Sequence, residues 1–197
     1  MAYEKFDPVK LERLNDPARL ETMSPDVLWR ALGEPEHARV IIEIGAGTGL
    51  FASEFLARAP HAVLYATDIV DDMLEWMRAN RPEVEAGRLV PRRSHEGQVP
   101  LQDSLADVVY MLNVHHELAE PDSIYAEALR LLKPEGRLLV ADWAPGDSPK
   151  GPPQHVRVSG SDIAQILDAI GFGNVRVHEG ALPWHSVVTA ARSSRAG

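Results

Sequence analysis

The sequence predicts an α/β domain in which a seven-stranded, mostly parallel sheet carries helices on both faces. Three observations support this fold class. Short apolar runs alternate with helical patterns over residues 40–142, an order typical of right-handed βαβ units. The first of these runs ends in a turn that contains Gly45, Gly47 and Gly49. The last two predicted strands are joined by a short connection, so they must be antiparallel.

Residues 1–38 are predicted to form a helical lead-in, and residues 39–197 a single domain. A short helical pattern covers residues 9–15. Ser24 then has the position of an N-cap, because Pro25 follows it at the first helical position and Gly33 ends the apolar pattern.

The central part of the sequence is predicted to alternate between strands and helices. The predicted strands cover residues 40–44, 62–67, 88–93, 106–113 and 137–142. The predicted helices cover residues 49–59, 71–80 and 122–132, and residues 133–136 are predicted to turn the chain.

The last part of the sequence departs from this alternation. Residues 144–160 are rich in proline and glycine and are predicted to form a long loop. A helix over residues 161–170 is expected to end at Gly171, and strands over residues 174–179 and 185–191 form the closing pair.

The bulk composition excludes several classes of function. With 20 basic and 29 acidic residues, the net charge is −9, which disfavours nucleic-acid and anionic-membrane partners. The sequence contains no cysteine, which excludes disulfides, thiolate metal sites and a cysteine nucleophile. We find no signal-peptide pattern and no apolar run long enough to span a bilayer, and we therefore expect a cytoplasmic protein.

The glycine turn fits two kinds of ligand. A dinucleotide fingerprint places a small residue at its third position, three residues after the second glycine. Here that position is the bulky Leu50, because Gly45, Gly47 and Gly49 are spaced two residues apart. Glu43 also precedes the turn, and its carboxylate would repel a pyrophosphate but attract an amino group. The pattern therefore favours a ligand that carries an amine.

Residues 43–49, with the sequence Glu-Ile-Gly-Ala-Gly-Thr-Gly, resemble the first motif of the class I S-adenosylmethionine-dependent methyltransferases. The resemblance extends over about residues 38–192 and is strongest to the small-molecule, type 11/25-like branch. Asp68 matches the family's acid that binds both ribose hydroxyls, and residues 132–138 match its turn into the fifth strand. The resemblance implies a Rossmann-like fold, S-adenosylmethionine as cofactor and a small-molecule methyl acceptor.

The resemblance and the chemistry of this cofactor give a set of expected binding residues. Glu43 and the loop amides would hold the amino-acid end, and Asp68 would accept hydrogen bonds from the ribose. Apolar side chains would flank the adenine, and His95 or Glu96 would accept a hydrogen bond from its amino group, where the family often has an aspartate. The expected cofactor-binding residues are Glu43, Gly45, Ala46, Gly47, Thr48, Gly49, Asp68, Ile69, Met73, His95, Glu96, Asn113 and Val114.

Two adjacent histidines, His115 and His116, are the candidate catalytic residues. They follow the fourth predicted strand, and ligands of open α/β sheets bind outside the carboxyl ends of the strands. Histidine has a pKa suited to a general base. The resemblance favours His115 beside the sulfonium, with His116 capping or packing, and a purely structural role for both is the alternative. No metal site is expected, because the histidines lack metal-ligand spacing.

By the same resemblance, the lead-in and residues 144–160 would form a lid over the acceptor. Trp143, His155 and Arg157 are the expected acceptor-binding residues, and transfer to oxygen, nitrogen or carbon is left open. One alternative is an NAD-dependent oxidoreductase, against which Leu50 and Glu43 argue. The other is a non-catalytic S-adenosylmethionine-binding module, and a homodimer is an open possibility for assembly.

Overall fold

The computed structural model describes residues 8–193, in which seven strands form one sheet. The order of the strands is β3-β2-β1-β4-β5-β7-β6. Their bounds are β1 Val40–Ile44, β2 Val63–Asp68, β3 Leu89–Arg93, β4 Ala106–Leu112, β5 Leu132–Trp143, β6 Gly173–Val177 and β7 His185–Ala191. Within this sheet β7 alone runs antiparallel to its neighbours, which confirms the predicted fold class and the closing antiparallel pair.

Helices cover both faces of the sheet, as predicted. The α-helices are α1 Pro8–Asn15, α2 Ala18–Thr22, α3 Pro25–Ala31, α4 Leu50–Arg58, α5 Asp71–Asn80, α6 Pro82–Glu85, α7 Pro121–Leu131 and α8 Gly160–Ile170. Short 3-10 helices cover His115–Glu117 and Gln154–Val156. None of the helices described here is long and apolar enough to cross a membrane.

The period of two along each strand divides the apolar side chains between two cores. On β1, Ile41 belongs to the cluster that packs against α3, α4 and α5, and Ile42 to the cluster that packs against α7 and α8. Both isoleucines are fully buried. The sheet is therefore packed against helices on both faces. The loops at the carboxyl ends of its strands are where ligands of such sheets bind.

The predicted start of the fifth strand was wrong. Leu132 already pairs with Ala106, and regular pairing resumes with Arg137 opposite Val108. The residues between them form a bulge in which Glu135 has a φ of 64°, and Pro134 has no amide to donate to a ladder. What the sequence analysis took for a turn before the strand is thus a bulge within it.

The lead-in contains one more helix than predicted. Helix α2 has 5 residues, and α6, which was also missed, has 4; neither is long enough to show a helical repeat. Ser24 does precede α3 with Pro25 at its start, although its side chain makes no capping hydrogen bond. The predictions made for the first seven residues lie outside the described part of the chain.

Candidate active site

The glycine turn lies between the end of β1 and the start of α4. Its three glycines have φ values of 74°, 55° and 70°, a region open to glycine at little cost. The amides of Gly45 and Ala46 donate to the Thr67 carbonyl at 2.8 and 3.0 Å. A Cβ on Gly45 would lie 2.5 Å from a methyl carbon of Val114. The turn is therefore held tightly between the end of β2 and the segment after β4.

Asp68 binds the glycine turn as well as facing the site. One carboxylate oxygen accepts a hydrogen bond from the Gly47 amide at 2.7 Å, and the other accepts from the Val70 amide at 2.9 Å. A carboxylate oxygen can accept more than one hydrogen bond, so the two amide bonds do not by themselves prevent Asp68 from binding a diol. Ile69 beside it is 44% exposed, whereas the other predicted adenine wall, Met73, is buried.

Glu43 lies beneath the glycine turn and is only 2% exposed. In the described part of the chain, one of its carboxyl oxygens, Oε2, has no hydrogen-bond partner, and neither has the nearby Tyr110 hydroxyl at ordinary hydrogen-bond geometry. Burial raises the pKa of Glu43 to about 8, although the Tyr110 hydroxyl and the Arg19 guanidinium oppose the shift. The side chain is therefore a buried acid that is poised to ionise when a cation pairs with it.

Helix α1 of the lead-in contacts the glycine turn. The Leu14 side chain covers Gly47, where a Cβ would lie 3.8 Å from it. Arg81 joins the two segments, since it donates to the Thr48 carbonyl at 2.9 Å and to the Asn15 side chain at 2.8 Å. These contacts place the lead-in over the turn, and its function as a lid stays a prediction.

The two candidate catalytic histidines lie in the 3-10 helix after β4 and have different partners. His115 Nδ1 shares a hydrogen bond of 2.7 Å with the hydroxyl of the buried Tyr125, and burial lowers the pKa of His115. His116 Nδ1 lies 2.8 Å from an oxygen of Asp142 at the end of β5. Burial disfavours the charged form of His116, but the hydrogen bond and charge of Asp142 outweigh it and raise its pKa.

Asp142 is the functional candidate that the sequence analysis missed. It is fully buried, and its Oδ1 also accepts the Trp143 amide at 2.7 Å. An acid at the carboxyl end of a predicted strand was the available signal, but nothing local in the sequence links it to His116. Of the two histidines, His116 is the one that has a carboxylate partner, as a general base oriented by an acid would, and the catalytic role of either histidine stays a prediction.

The three predicted acceptor-binding residues have different surroundings. The rings of Trp143 and His185 are 4.3 Å apart. Arg157 donates to the Pro152 and Gly146 carbonyls, each at 2.9 Å, and so fastens the proline-rich loop. His155 is exposed in the 3-10 helix of that loop. Trp143 lies at the end of β5, and substrate roles for all three residues stay predictions.

The predicted adenine contacts after β3 lie in an exposed turn. The backbones of His95 and Gln98 exchange two hydrogen bonds of 2.9 and 3.1 Å, and Glu96 follows His95 within the turn. Their side chains are exposed. The structure thus places them beside the end of β3, and their contact with adenine stays a prediction.

Several buried polar atoms at the edge of the sheet where β1, β4 and β5 end have no hydrogen-bond partner within residues 8–193. They include Glu43 Oε2, Thr48 Oγ1, Asn113 Oδ1 and both ring nitrogens of His185. Asn113 also has a φ of 59°. Buried polar groups are normally paired, so this set fits a polar ligand such as the expected cofactor. No cluster of possible metal ligands occurs among residues 8–193.

Comparisons with known proteins agree with this geometry. A family model described as a methyltransferase domain matches residues 42–140. The chain is 34% identical over 114 residues to malonyl-[acyl-carrier protein] O-methyltransferase of Methylococcus capsulatus, which is 58% of this chain and 40% of that protein. It is 34% identical over 113 residues to the ubiquinone/menaquinone biosynthesis C-methyltransferase UbiE of Dinoroseobacter shibae, which is 56% of this chain and 44% of that protein.

The chain thus spans less than half the length of either curated relative. Among solved structures, a SAM dependent methyltransferase from Aquifex aeolicus superimposes with a TM-score of 0.85 at 28% identity, and the match covers 95% of this chain and all of that one. The similarity to that structure therefore includes the lead-in helices as well as the sheet.

Proposed function

The chain belongs to the class I S-adenosylmethionine-dependent methyltransferases, and from that membership we propose that it methylates a small-molecule acceptor. The observation that carries the proposal is the buried Glu43 beneath the glycine turn, with an unpaired oxygen suited to an ammonium group. An NAD-dependent oxidoreductase has no comparable use for this acid. The proposal includes a cytoplasmic location, and it is compatible with either a monomer or a homodimer.

The chain supplies three groups that would hold the cofactor. Glu43 would pair with the ammonium of the amino-acid end, and the amides of the glycine turn would approach it closely. Asp68 would accept the two ribose hydroxyls, and Ile69 would cover one side of the adenine. When bound, S-adenosylmethionine supplies a methyl group carried on a positively charged sulfur.

The His116–Asp142 pair would handle the proton that the acceptor loses. His116 Nε2 would take a proton from the attacking oxygen, nitrogen or carbon, while Asp142 accepts the hydrogen bond from Nδ1 and stabilises the imidazolium. This role suits an acceptor that must lose a proton, such as a hydroxyl or an acidic carbon. A non-catalytic binding module would have no need of such a pair.

Isothermal titration calorimetry tests the proposal directly. The protein is expected to bind S-adenosylhomocysteine and not NAD. Asp68→Ala should weaken binding of S-adenosylhomocysteine by about 1–3 kcal/mol, or roughly 5- to 150-fold, because it removes the ribose acceptor and the partner of the Gly47 amide. Asp72→Ala, at an exposed position of α5, is the matched control and should bind normally. Tight binding of NAD alone would overturn the proposal, and unchanged affinity in Asp68→Ala would remove that residue from the site.

The affinity for S-adenosylhomocysteine is expected to depend on pH through Glu43. Below its folded pKa of about 8 the acid must lose a proton before it pairs with the ammonium, so affinity should rise by up to about tenfold per pH unit from pH 6. The gain should end near pH 8, because an α-amino group then loses its own proton. Calorimetry across this range in buffers of different ionisation enthalpy would count the released proton.

Glu43→Gln supplies the control for this pH dependence. The variant should bind S-adenosylhomocysteine weakly and with little change between pH 6 and 8. The same raised pKa affects the stability of the unliganded protein. The contribution of Glu43 to the free energy of unfolding is fully present below pH 4.5, its ordinary pKa, and is lost as the pH rises towards its folded pKa of about 8. The loss is about 1.4 kcal/mol per pH unit. Equal pH dependence of affinity in both proteins would refute the role of Glu43.

A further inference from the structure

His185 is a buried histidine whose polar atoms are unused. It begins β7 and is 6% exposed, yet neither ring nitrogen has a hydrogen-bond partner within the described residues 8–193. It lies opposite Trp143 in the β5–β7 pairing. Leaving two buried polar atoms unpaired is costly, and a phenylalanine would pack there without that cost. The imidazole therefore points to a ligand.

The side chains around His185 make this part of the site electropositive. Arg19 of α2 and Arg157 of the proline-rich loop both act on it, together with His116, against one acid, Asp142. Burial lowers the pKa of His185 to about 4; Asp142, the largest of the charges acting on it, opposes this shift, and Arg19, His116 and Arg157 add to it. The ring is therefore neutral near pH 7 and offers one N–H donor.

Arg19 has hydrogen-bond donors to spare. Among the described residues its one hydrogen bond runs from Nη1 to the Leu14 carbonyl at 2.6 Å. Its guanidinium lies over the Phe51 ring at 5.3 Å and acts on both Glu43 and His185. The donors of Arg157, by contrast, are engaged by carbonyls of its own loop.

The sheet places this cluster beside the proposed base. Ala141 and Val187 belong to the core on the α3–α5 face, so by alternation Trp143 and His185 face that side at the ends of β5 and β7. Val140 belongs to the opposite core, which puts Asp142 and its partner His116 on the other side. A small molecule that lies across the end of β5 would therefore reach both groups.

We propose that Arg19 and His185 form an oxyanion-binding subsite that holds the methyl acceptor by a carboxylate, enolate or phenolate oxygen. This inference rests on the proposed function and narrows its substrate class. A cationic acceptor is disfavoured, because the charges of Arg19 and Arg157 both act on His185 and the Arg157 guanidinium lies over the neighbouring Trp143 ring at 5.7 Å. The carboxylate at the amino-acid end of the cofactor is the other oxyanion that could bind to Arg19 and His185. Binding of two nucleosides, with and without this carboxylate, distinguishes it from the acceptor.

The test follows the ring signals of His185 by NMR in the complex with S-adenosylhomocysteine while benzoate is added as the oxyanion probe. Benzoate should shift the His185 signals in a saturable way and raise the pKa of His185, because an anion favours the imidazolium. His185→Phe and Arg19→Met should each weaken benzoate binding by at least tenfold, and His185→Gln, which keeps an N–H donor, should retain part of it.

Two control variants test whether a loss of benzoate binding is specific to the proposed subsite. His178→Gln changes a half-buried histidine that bonds Thr189 near the end of β6, and Arg30→Met changes an exposed arginine of α3. Both should bind benzoate normally. The melting temperature of unliganded His185→Phe should equal or exceed that of the wild type, because no hydrogen bond is lost.

A comparison of two nucleosides identifies the source of the oxyanion. S-Adenosylhomocysteine carries the amino-acid carboxylate and methylthioadenosine lacks it. If the acceptor is the source, His185→Phe binds both nucleosides as the wild type does. If His185→Phe loses affinity for S-adenosylhomocysteine alone, the acceptor assignment is overturned. Arg19→Met is left out of this comparison, because Arg19 also lowers the pKa of Glu43, the proposed partner of the ammonium that only S-adenosylhomocysteine carries. Unchanged binding of benzoate in both variants removes the subsite, whereas failure of the wild type to bind S-adenosylhomocysteine contradicts the proposed function itself.

Discussion

Replacing His116 with glutamine is expected to slow methyl transfer by about 10²–10⁴-fold at neutral pH, without weakening the binding of S-adenosylhomocysteine. Glutamine cannot accept the acceptor's proton as imidazole does. Asp142→Asn should lower the rate to a similar degree, because an amide no longer selects the tautomer of His116 or stabilises its charge. The rates are to be measured with the acceptor found by screening metabolites for labelled methyl transfer.

The pH profile of the wild type provides an independent check on this base. His116 acts when it is neutral, and Asp142 raises its pKa above the ordinary value of 6.5. The rate should therefore climb with pH through a value above 6.5, and this limb should disappear in His116→Gln. His115→Gln is the matched control and should keep both the rate and the limb. The reverse outcome would assign the base to His115, as the sequence analysis favoured.

Gly45→Ala is expected to weaken the binding of S-adenosylhomocysteine by at least about 100-fold. The added Cβ would lie 2.5 Å from a methyl of Val114 at a φ of 74°. Left-handed backbone costs about 1–2 kcal/mol for an L-residue, and a β-branched valine has little rotamer freedom to give way. The turn must shift, so its amides and Glu43 beneath it lose their alignment. Calorimetry measures the loss.

Two further variants separate the contact with Val114 from the backbone strain. Gly87→Ala introduces the same change at a φ of 71°, where nothing lies within 4 Å of the new Cβ, so it should lose stability but not affinity. Val114→Ala combined with Gly45→Ala removes the clashing methyls and should recover part of the binding. Normal affinity in Gly45→Ala alone would show that the turn tolerates a side chain and that its close packing is not needed.

The parts of the fold that sequence reasoning predicted are those with a local signal. The apolar run of β1, the glycines after it and the helical spacing of α4 lie within a few residues of one another. The parts that it missed lack such a signal: α2 is too short for a repeat, and the bulge around Glu135 depends on pairing with the backbone after β7. The same distinction applies to the site. The roles of Glu43 and Asp68 were proposed from one motif and one strand end, which are local signals.

The sequence by itself determined the fold class, because side-chain periodicity and the glycine requirement of a tight turn are properties of short segments. The kind of cofactor followed from the resemblance of residues 43–49 to a methyltransferase motif, which is also a short segment. Only the tertiary structure decided which histidine has a carboxylate, since His116 and Asp142 are 26 positions apart and meet where β4 and β5 end side by side. It also placed Arg19 of α2 where its charge acts on His185 of β7. The burial that shifts the pKa values of Glu43 and His185, and the contact with Asp142 that raises the pKa of His116, exist only once the layers have packed.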